Sequence, residues 1–334
     1  MNKRLLWADS LKGWLIILVV LGHAIQNTIG AGCEDNHLWN LIYSFHMPAF
    51  MAISGYLAFR PTMNGGVKPL YSVIYRRFRQ LILPFVIWTL LLLLIGGKFS
   101  LDTIGVYLLY PDKGLWFLWA LFFITVFFNI GSWLSECIHI KQELVIAVLC
   151  LFFAGSMVVF KIRVLGFQFI AYYFIIYSLG YYLHKYYDKQ GSHKEYFVIV
   201  LMIVCWGILA WFWKMHDLPN ALKAIPLPNT LLQYTYRFIT AAIAIYILLA
   251  VSPKLLDTND KWNLPFISLG GISLGIYTVH FIIIGKVVSL CRSFIGDDRL
   301  IILSSFVMAL LMSWLIVWLL NKWSFTVKWF LGKI

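Results

Sequence analysis

Lys12 and His23 stand eleven residues apart in an otherwise apolar run, ADSLKGWLIILVVLGHAIQN, from Ala8 to Asn27. On a helix that spacing is about three turns, so both fall on one face roughly 16 Å apart along the axis. An ammonium at one end can hold an anion, and an imidazole at the other can move a proton near neutral pH. Asp9, three residues before Lys12, is close enough to pair with the ammonium and orient it. Gln26 and Asn27 carry the polar face one turn past His23. A histidine merely satisfied by a neighbouring helix is the plainer reading, and the continuing polar stripe argues against it. The pattern places Lys12 at a cytoplasmic mouth and His23 near mid-membrane.

Other polar residues sit where apolar ones are expected, and ionisable groups inside a bilayer are functional candidates by default. His46 lies in LIYSFHMPAFMAISGYLAF, where Pro48 frees the carbonyl of Ser44 and favours a kink. It reads equally as a second site group or a structural partner near that kink. Ser54-Gly55 permits close backbone approach. Arg76, Arg77 and Arg79 form a basic cluster that serves either as an interfacial anchor or as a phosphate clamp, since guanidinium forks bind phosphate oxygens in pairs. LPFISLGGISLGIYTVHF supplies Ser268, Ser273, Thr278 and His280, with glycines at 270, 271 and 275 for tight packing. On spacing alone His280 leans towards a structural role. Gln233, Tyr236, Arg237 and Thr240 share a helix face, where Arg237 either snorkels outward or binds an acceptor. Lys286 reads as a snorkelling lysine, and Trp116 and Trp119 as interface anchors rather than sugar platforms. The five cysteines show no CxxC pair or metal spacing and read as small core residues rather than a Cys33–Cys291 bridge. No metal site is expected.

These residues must be carried by membrane helices. Of the 334 residues 61% are hydrophobic and only 12% charged, about half the charge of a soluble domain. That excludes a soluble enzyme, a disordered chain and a nucleic-acid binder, because the apolar surplus must face lipid. Ten stretches are long enough to cross a ~30 Å core: 14–31, 39–58, 79–95, 115–134, 143–160, 167–184, 196–213, 231–251, 264–288 and 300–320. With the N-terminus inside, the inner segments hold most of the 27 Lys and Arg residues, among them Lys3, Arg4, Lys12, Arg60, Lys68, Lys141, Lys185, Lys189 and Lys194. Lys98, Lys113, Lys161, Arg163 and Lys214 are among the outer ones, and the acids split evenly. The positive-inside rule then puts both termini in the cytoplasm. The net charge of +13 is mainly a topology signal, not a polyanion site. The first apolar run is too long for a cleavable signal. The expectation is an all-α polytopic membrane protein, with 1–334 as a single transmembrane domain.

The chain resembles the acyltransferase family 3 of bacterial multispanning membrane enzymes. The resemblance rests on Asp9…Lys12-Gly13…His23, FHMPAFMAISGY (45–56), Arg76-x-x-Arg79 before Pro84, GLWFLWAL (114–121), FIIYSLGYYLHKY (174–186) and LGGISLGIYTVH (269–280), in that order. It implies acyl transfer, most often acetyl, from cytoplasmic acyl-CoA to a hydroxyl of an extracytoplasmic or lipid-linked glycan of the cell envelope, in the bacterial inner membrane. The family's histidine falls on His23 and its basic partner on Lys12, where many members carry Arg. Its arginine pair falls on Arg76 and Arg79. The stand-alone type, without an appended hydrolase-like domain, is expected.

The resulting scheme has Lys12, Arg76 and Arg79 hold the phosphates of acetyl-CoA as co-substrate, with no permanently bound cofactor. His23, with Lys12 and Asp9, activates the acceptor hydroxyl as general base or relays the acyl group. His46, Ser54, Arg237, Ser273 and His280 bind or support the acceptor. Membrane lipid surrounds the chain, and a homo-oligomer is compatible with it. The rival reading is a transporter or flippase of a lipid-linked sugar or anionic metabolite, for which the sequence offers no clear inverted repeat.

Overall fold

The computed structural model describes residues 5–59, 70–160, 162–186, 193–258 and 260–333, with the backbone alone at 193–195. Of the charges that oriented the chain, Lys3, Arg4, Arg60, Lys68, Lys161 and Lys189 lie outside the described residues, as does the side chain of Lys194. In chain order the helices are α1 (Leu6–Ile29), α2 (His37–Ala58), α3 (Leu70–Arg77), α4 (Leu83–Ile95), α5 (Leu101–Leu109), α6 (Trp116–Cys137), α7 (Gln142–Val159) and α8 (Phe167–Tyr186). Then come α9 (His193–Trp211), α10 (Asn220–Lys223), α11 (Asn229–Leu255), α12 (Leu264–Gly271), α13 (Ser273–Arg292), α14 (Asp298–Leu320) and α15 (Ser324–Phe330). No strand occurs among the described residues.

Nine helical segments among them are long and apolar enough to cross a membrane. The remaining predicted span, 196–213, is a shorter apolar helix, Tyr196–Trp211. Large apolar side chains point outward along α7, where Leu144, Val148 and Leu151 are 58%, 65% and 73% exposed. Water would penalise such a surface, whereas lipid tails do not. The chain is an all-α, multi-pass membrane protein.

Three elements differ from the sequence expectation. Span one starts at Leu6 rather than 14, because the polar residues of ADSLKG are accommodated on a buried helical turn. Span three is preceded by α3 and a π-helical turn, Phe78–Ile82, so the arginines ride on a continuous helical run rather than before it. Pro84 has no N–H to give to the carbonyl of Gln80, and the register slips there. Span nine, expected as one helix over 264–288, is broken at Ile272 (φ −119°, ψ 11°) into α12 and α13.

Two compact units make up the chain. The first comprises Met1–Ile53 and Tyr186–Val317, the second Ser54–Lys185 and Trp318–Ile334. In the first, α1 packs against α12, α13 and α11, and α9 against α11. Lipid supplies little hydrophobic drive for helix pairing, so close backbone approach at small residues carries it. In the second, a Cβ on Gly55 would lie 2.0 Å from the carbonyl oxygen of Tyr177, which is the close packing expected of Ser54-Gly55. Aromatic rings fill its interior: Phe128 lies 5.3 Å from Tyr177 and 4.7 Å from Tyr181, centre to centre. His184 stacks on Tyr56 and its Nδ1–H donates to the Tyr56 carbonyl at 2.6 Å. Lys185 pairs with Glu143, and the indole of Trp88 donates to the Phe330 carbonyl, fastening α15 to α4.

Candidate active site

The site is built on α1. Lys12 lies six residues past Leu6 and His23 six short of Ile29, so each stands about 9 Å from its nearer helix end. His23 therefore stands about midway between the centre of α1 and its C-terminal end. Between them Ile16, Val19 and Val20 are at most 1% exposed. The polar stripe expected from spacing is thus two separate polar ends joined by buried apolar turns.

At the first end Lys12 Nζ lies 2.7 Å from Asp9 Oδ1, the pair anticipated from spacing. An acidic group in the first turns also suits the positive end of the helix dipole. Here α12 crosses α1. The Ser10 hydroxyl donates to Asn263 Oδ1 at 2.5 Å, and the Asn263 amide donates to the carbonyls of Leu256 and Thr258, both at 2.8 Å. Ser10 and Asn263 are fully buried, so this amide has every hydrogen-bonding group occupied and fixes α12 on α1. Trp14 stacks on Phe266 with ring centres 3.9 Å apart. Ser273 belongs to this end: its hydroxyl donates to the Gly270 carbonyl and closes the break.

The second end gathers histidines. The ring of His23 lies 5.2 Å from that of His280, 6.0 Å from Phe281 and 6.4 Å from Tyr43, centre to centre. Tyr43 packs edge-on against His46 at 4.7 Å and donates to Gln26 Oε1 at 2.9 Å. His46 is buried with its Nδ1–H on the Ile42 carbonyl at 2.6 Å, so its local partner is structural. Asn27 donates to the carbonyl of His23 at 2.8 Å. A cavity of about 500 Å³ opens beside His23, lined also by Asn27, Phe281, Ile282, Ile284, Gly285, Lys286 and Ser289. That size falls in the ordinary range for small-ligand sites. The sequence reading of Lys286 as a snorkelling lysine missed this: Lys286 lines the His23 cavity.

The other cations near this end are engaged. Arg292 donates to the Thr28 carbonyl at 2.6 Å and lies 3.8 Å from Asp298. Past α1, Lys214 pairs with Asp35 at 2.9 Å and His216 with Glu34. Lys223 pairs with Asp217 at 2.8 Å and holds that carboxyl below the usual carboxylate range. Arg237 sits 5.8 Å from the Trp213 ring and 6.0 Å from that of Tyr234. Its companions are structurally used, with Gln233 donating to the Met215 carbonyl and Tyr236 to that of Leu209. Trp213 belongs to the buried cluster that also holds Ile25 of α1.

Arg76, Arg79 and Ser54 belong to the second unit. The π turn carries Arg79, whose guanidinium lies 5.8 Å from the Tyr75 ring, and Arg77 donates to Gln80 Oε1 at 3.3 Å. Turns of this type recur at functional sites. All five cysteines are free, Cys33 and Cys291 included. Among the described residues no cluster of His, Cys, Asp or Glu could hold a metal ion.

The fold is that of an all-α, multi-pass membrane protein, with His23 on the wall of a cavity beside α13. The acyltransferase domain of acyltransferase family 3 matches residues 5–318, and the chain belongs to that family. Two relatives are similar. One is the nodulation protein NolL of Sinorhizobium fredii, 30% identical over 219 residues, which is 62% of this chain and 56% of that protein. The other is the nodulation protein NolL of Mesorhizobium japonicum, 32% identical over 157 residues, 40% of this chain and 39% of that one. The match thus spans about half or less of these relatives' lengths. No solved structure matches the chain.

Proposed function

We propose that this chain, acting as one acyltransferase domain over 1–334, moves an acetyl group from cytoplasmic acetyl-CoA to a hydroxyl of an extracytoplasmic or lipid-linked cell-envelope glycan. Its setting is the bacterial inner membrane, with both termini in the cytoplasm. The observation that carries the reading is His23, on which the resemblance puts the family's histidine, on the wall of a cavity large enough for a sugar.

His23 takes the proton of the acceptor hydroxyl as its oxygen attacks the thioester carbonyl. The tetrahedral intermediate collapses, the carbon–sulfur bond breaks, and the imidazolium returns the proton to the CoA sulfur. An ester and free CoA result. Such base catalysis contributes about 10²–10⁴-fold. An acyl-histidine relay uses the same residue in two steps. Arg76 and Arg79 bind phosphates of the donor, and Lys12, steadied by Asp9, is a further cationic contact. Asn27, Ser289 and Lys286 offer polar groups to the acceptor and Phe281 a ring face. Arg237, His46 and Ser54 support the acceptor side.

The test is transfer of label from radiolabelled acetyl-CoA to candidate glycans by purified protein, alongside His23→Ala. Labelled glycan with wild type and none with folded His23→Ala supports the reading. Acceptor binding without any transfer would favour a transporter or flippase instead.

A further inference from the structure

His280 is fully buried, and its Nδ1 lies 2.9 Å from the Ile276 carbonyl. A carbonyl only accepts, so Nδ1 carries the proton and Nε2 of the neutral ring is a bare acceptor. That Nε2 is buried and has no hydrogen-bond partner among the described residues. Native interiors rarely leave such an atom idle, because it has lost its water and gained nothing. The polar groups around it narrow the donor. The Tyr43 hydroxyl is spent on Gln26, the proton-bearing nitrogen of His46 on Ile42, and the Tyr277 ring, one turn before His280 on the same helix, lies farther off, with centres 5.9 Å apart. The ring of His23 is in contact, with centres 5.2 Å apart and a tilt of 48°. Two imidazoles at that separation meet at ordinary hydrogen-bond length once their nitrogens face each other, so a ring rotation of His23 closes the contact.

We propose that His280 is the positioning residue of His23: its Nε2 accepts the N–H of His23 and so holds the other, bare nitrogen of His23 towards the cavity. The proposal rests on the reading of His23 as the base. A base oriented by a third group is the usual arrangement for activating hydroxyls. Here the orienting group is a neutral imidazole whose own tautomer is set by the helix backbone. When His23 takes the hydroxyl proton it carries two N–H groups, and the one on His280 becomes a charge-assisted bond. His280 itself neither gains nor loses a proton. The same proton leaves His23 for the CoA sulfur, so the cycle closes.

Ring-¹⁵N histidine spectra of the detergent-solubilised protein test this without reference to activity. The His23 signals are assigned by their loss in His23→Ala. Wild type is expected to show one protonated and one bare nitrogen for His23. His280→Ala should average the two, and His280→Gln, whose amide oxygen accepts, should keep them apart. In the transfer assay His280→Ala should lower kcat by about 10–100-fold, leave KM for acetyl-CoA within roughly twofold, and be partly rescued by His280→Gln. If His280→Ala does not fold, His280→Gln is compared with His280→Met, which fills similar space and cannot accept. Unchanged His23 signals in His280→Ala or His280→Met overturn the proposal, whatever the activity. Absence of any transfer by wild type overturns instead the reading of the chain as an acetyltransferase, and the spectra still decide the pairing.

Discussion

The carbonyl oxygen of Asp9 occupies the space where a side chain on Gly270 would begin. A Cβ there would lie 1.7 Å from it, and one on Gly13 would lie 2.0 Å from the Phe266 carbonyl oxygen. Both obstacles are backbone, which cannot rotate aside. The two glycines are therefore a reciprocal lock between α1 and α12, next to the Asp9–Lys12 pair.

Gly270→Ala is expected to destabilise the protein by about 1–3 kcal/mol or more, since the helices must part to admit one methyl. The measurement is the midpoint of thermal unfolding in detergent. Gly155→Ala, with open space around its Cα, is the control and should be close to neutral. Equal midpoints for the two variants would mean that the lock is not tight.

Lys12→Met takes the Lys12 ammonium away from the largely buried Asp9, a loss on the order of 3–5 kcal/mol for a well-buried pair and less for this partly exposed lysine. Asp9→Asn in the same chain removes the carboxylate charge and should recover much of the loss. A double-mutant cycle on unfolding gives the coupling. Additive losses would show that the 2.7 Å contact contributes nothing.

Arg76→Ala and Arg79→Ala should each weaken binding of coenzyme A by about tenfold, as expected from a lost charge-assisted contact of roughly 1.5 kcal/mol or more. Lys141→Ala, a cation of the same predicted face, should not. Calorimetric titration with coenzyme A separates the cases. Identical affinities would return the arginines to the role of interfacial anchors.

Lys286→Glu reverses the one charge that the described residues place on the wall of the His23 cavity. Acetylation of an acidic glycan should fall at least tenfold relative to a neutral one, since like charges now meet in a partly desolvated site. The ratio of initial rates on the two acceptors is the readout. A ratio unchanged from wild type would leave Lys286 as an interfacial side chain.

The spans were legible because lipid imposes one rule, a long apolar run, and the runs at 115–134 or 300–320 obey it without help from neighbours. Local chemistry was legible too: Asp9 and Lys12 pair three residues apart, within reach of a single helical turn. Harder to see was whatever depended on distant segments. Gly270 and Gly271 announced close packing but not that the helix breaks at Ile272, because the break is stabilised by Ser273 and by contacts with α1. Asn263 carried no motif, yet its amide joins Ser10 at a separation of 253 residues. The pairing of His23 with His280 belongs to the same class, set by how α13 runs along the second half of α1. The π turn escaped because it needs Pro84 to release the Gln80 carbonyl and Gly332 to approach it, with φ +62° and no room for a Cβ.

The break at Ile272 turns one predicted helix into a clasp with two jaws. One jaw, α12, grips α1 by its backbone at Asp9 and Gly13, and the other, α13, grips it at His23 and Thr28. With both ends held, α1 between them behaves as a gauge rod whose length is counted in residues rather than set by side chains. Inserting a single residue between Gly13 and His23 would lengthen the rod by about 1.5 Å and twist one end by about 100° against the other. No choice of inserted side chain could absorb that, whereas substitutions at Ile17 or Leu18 leave the count intact.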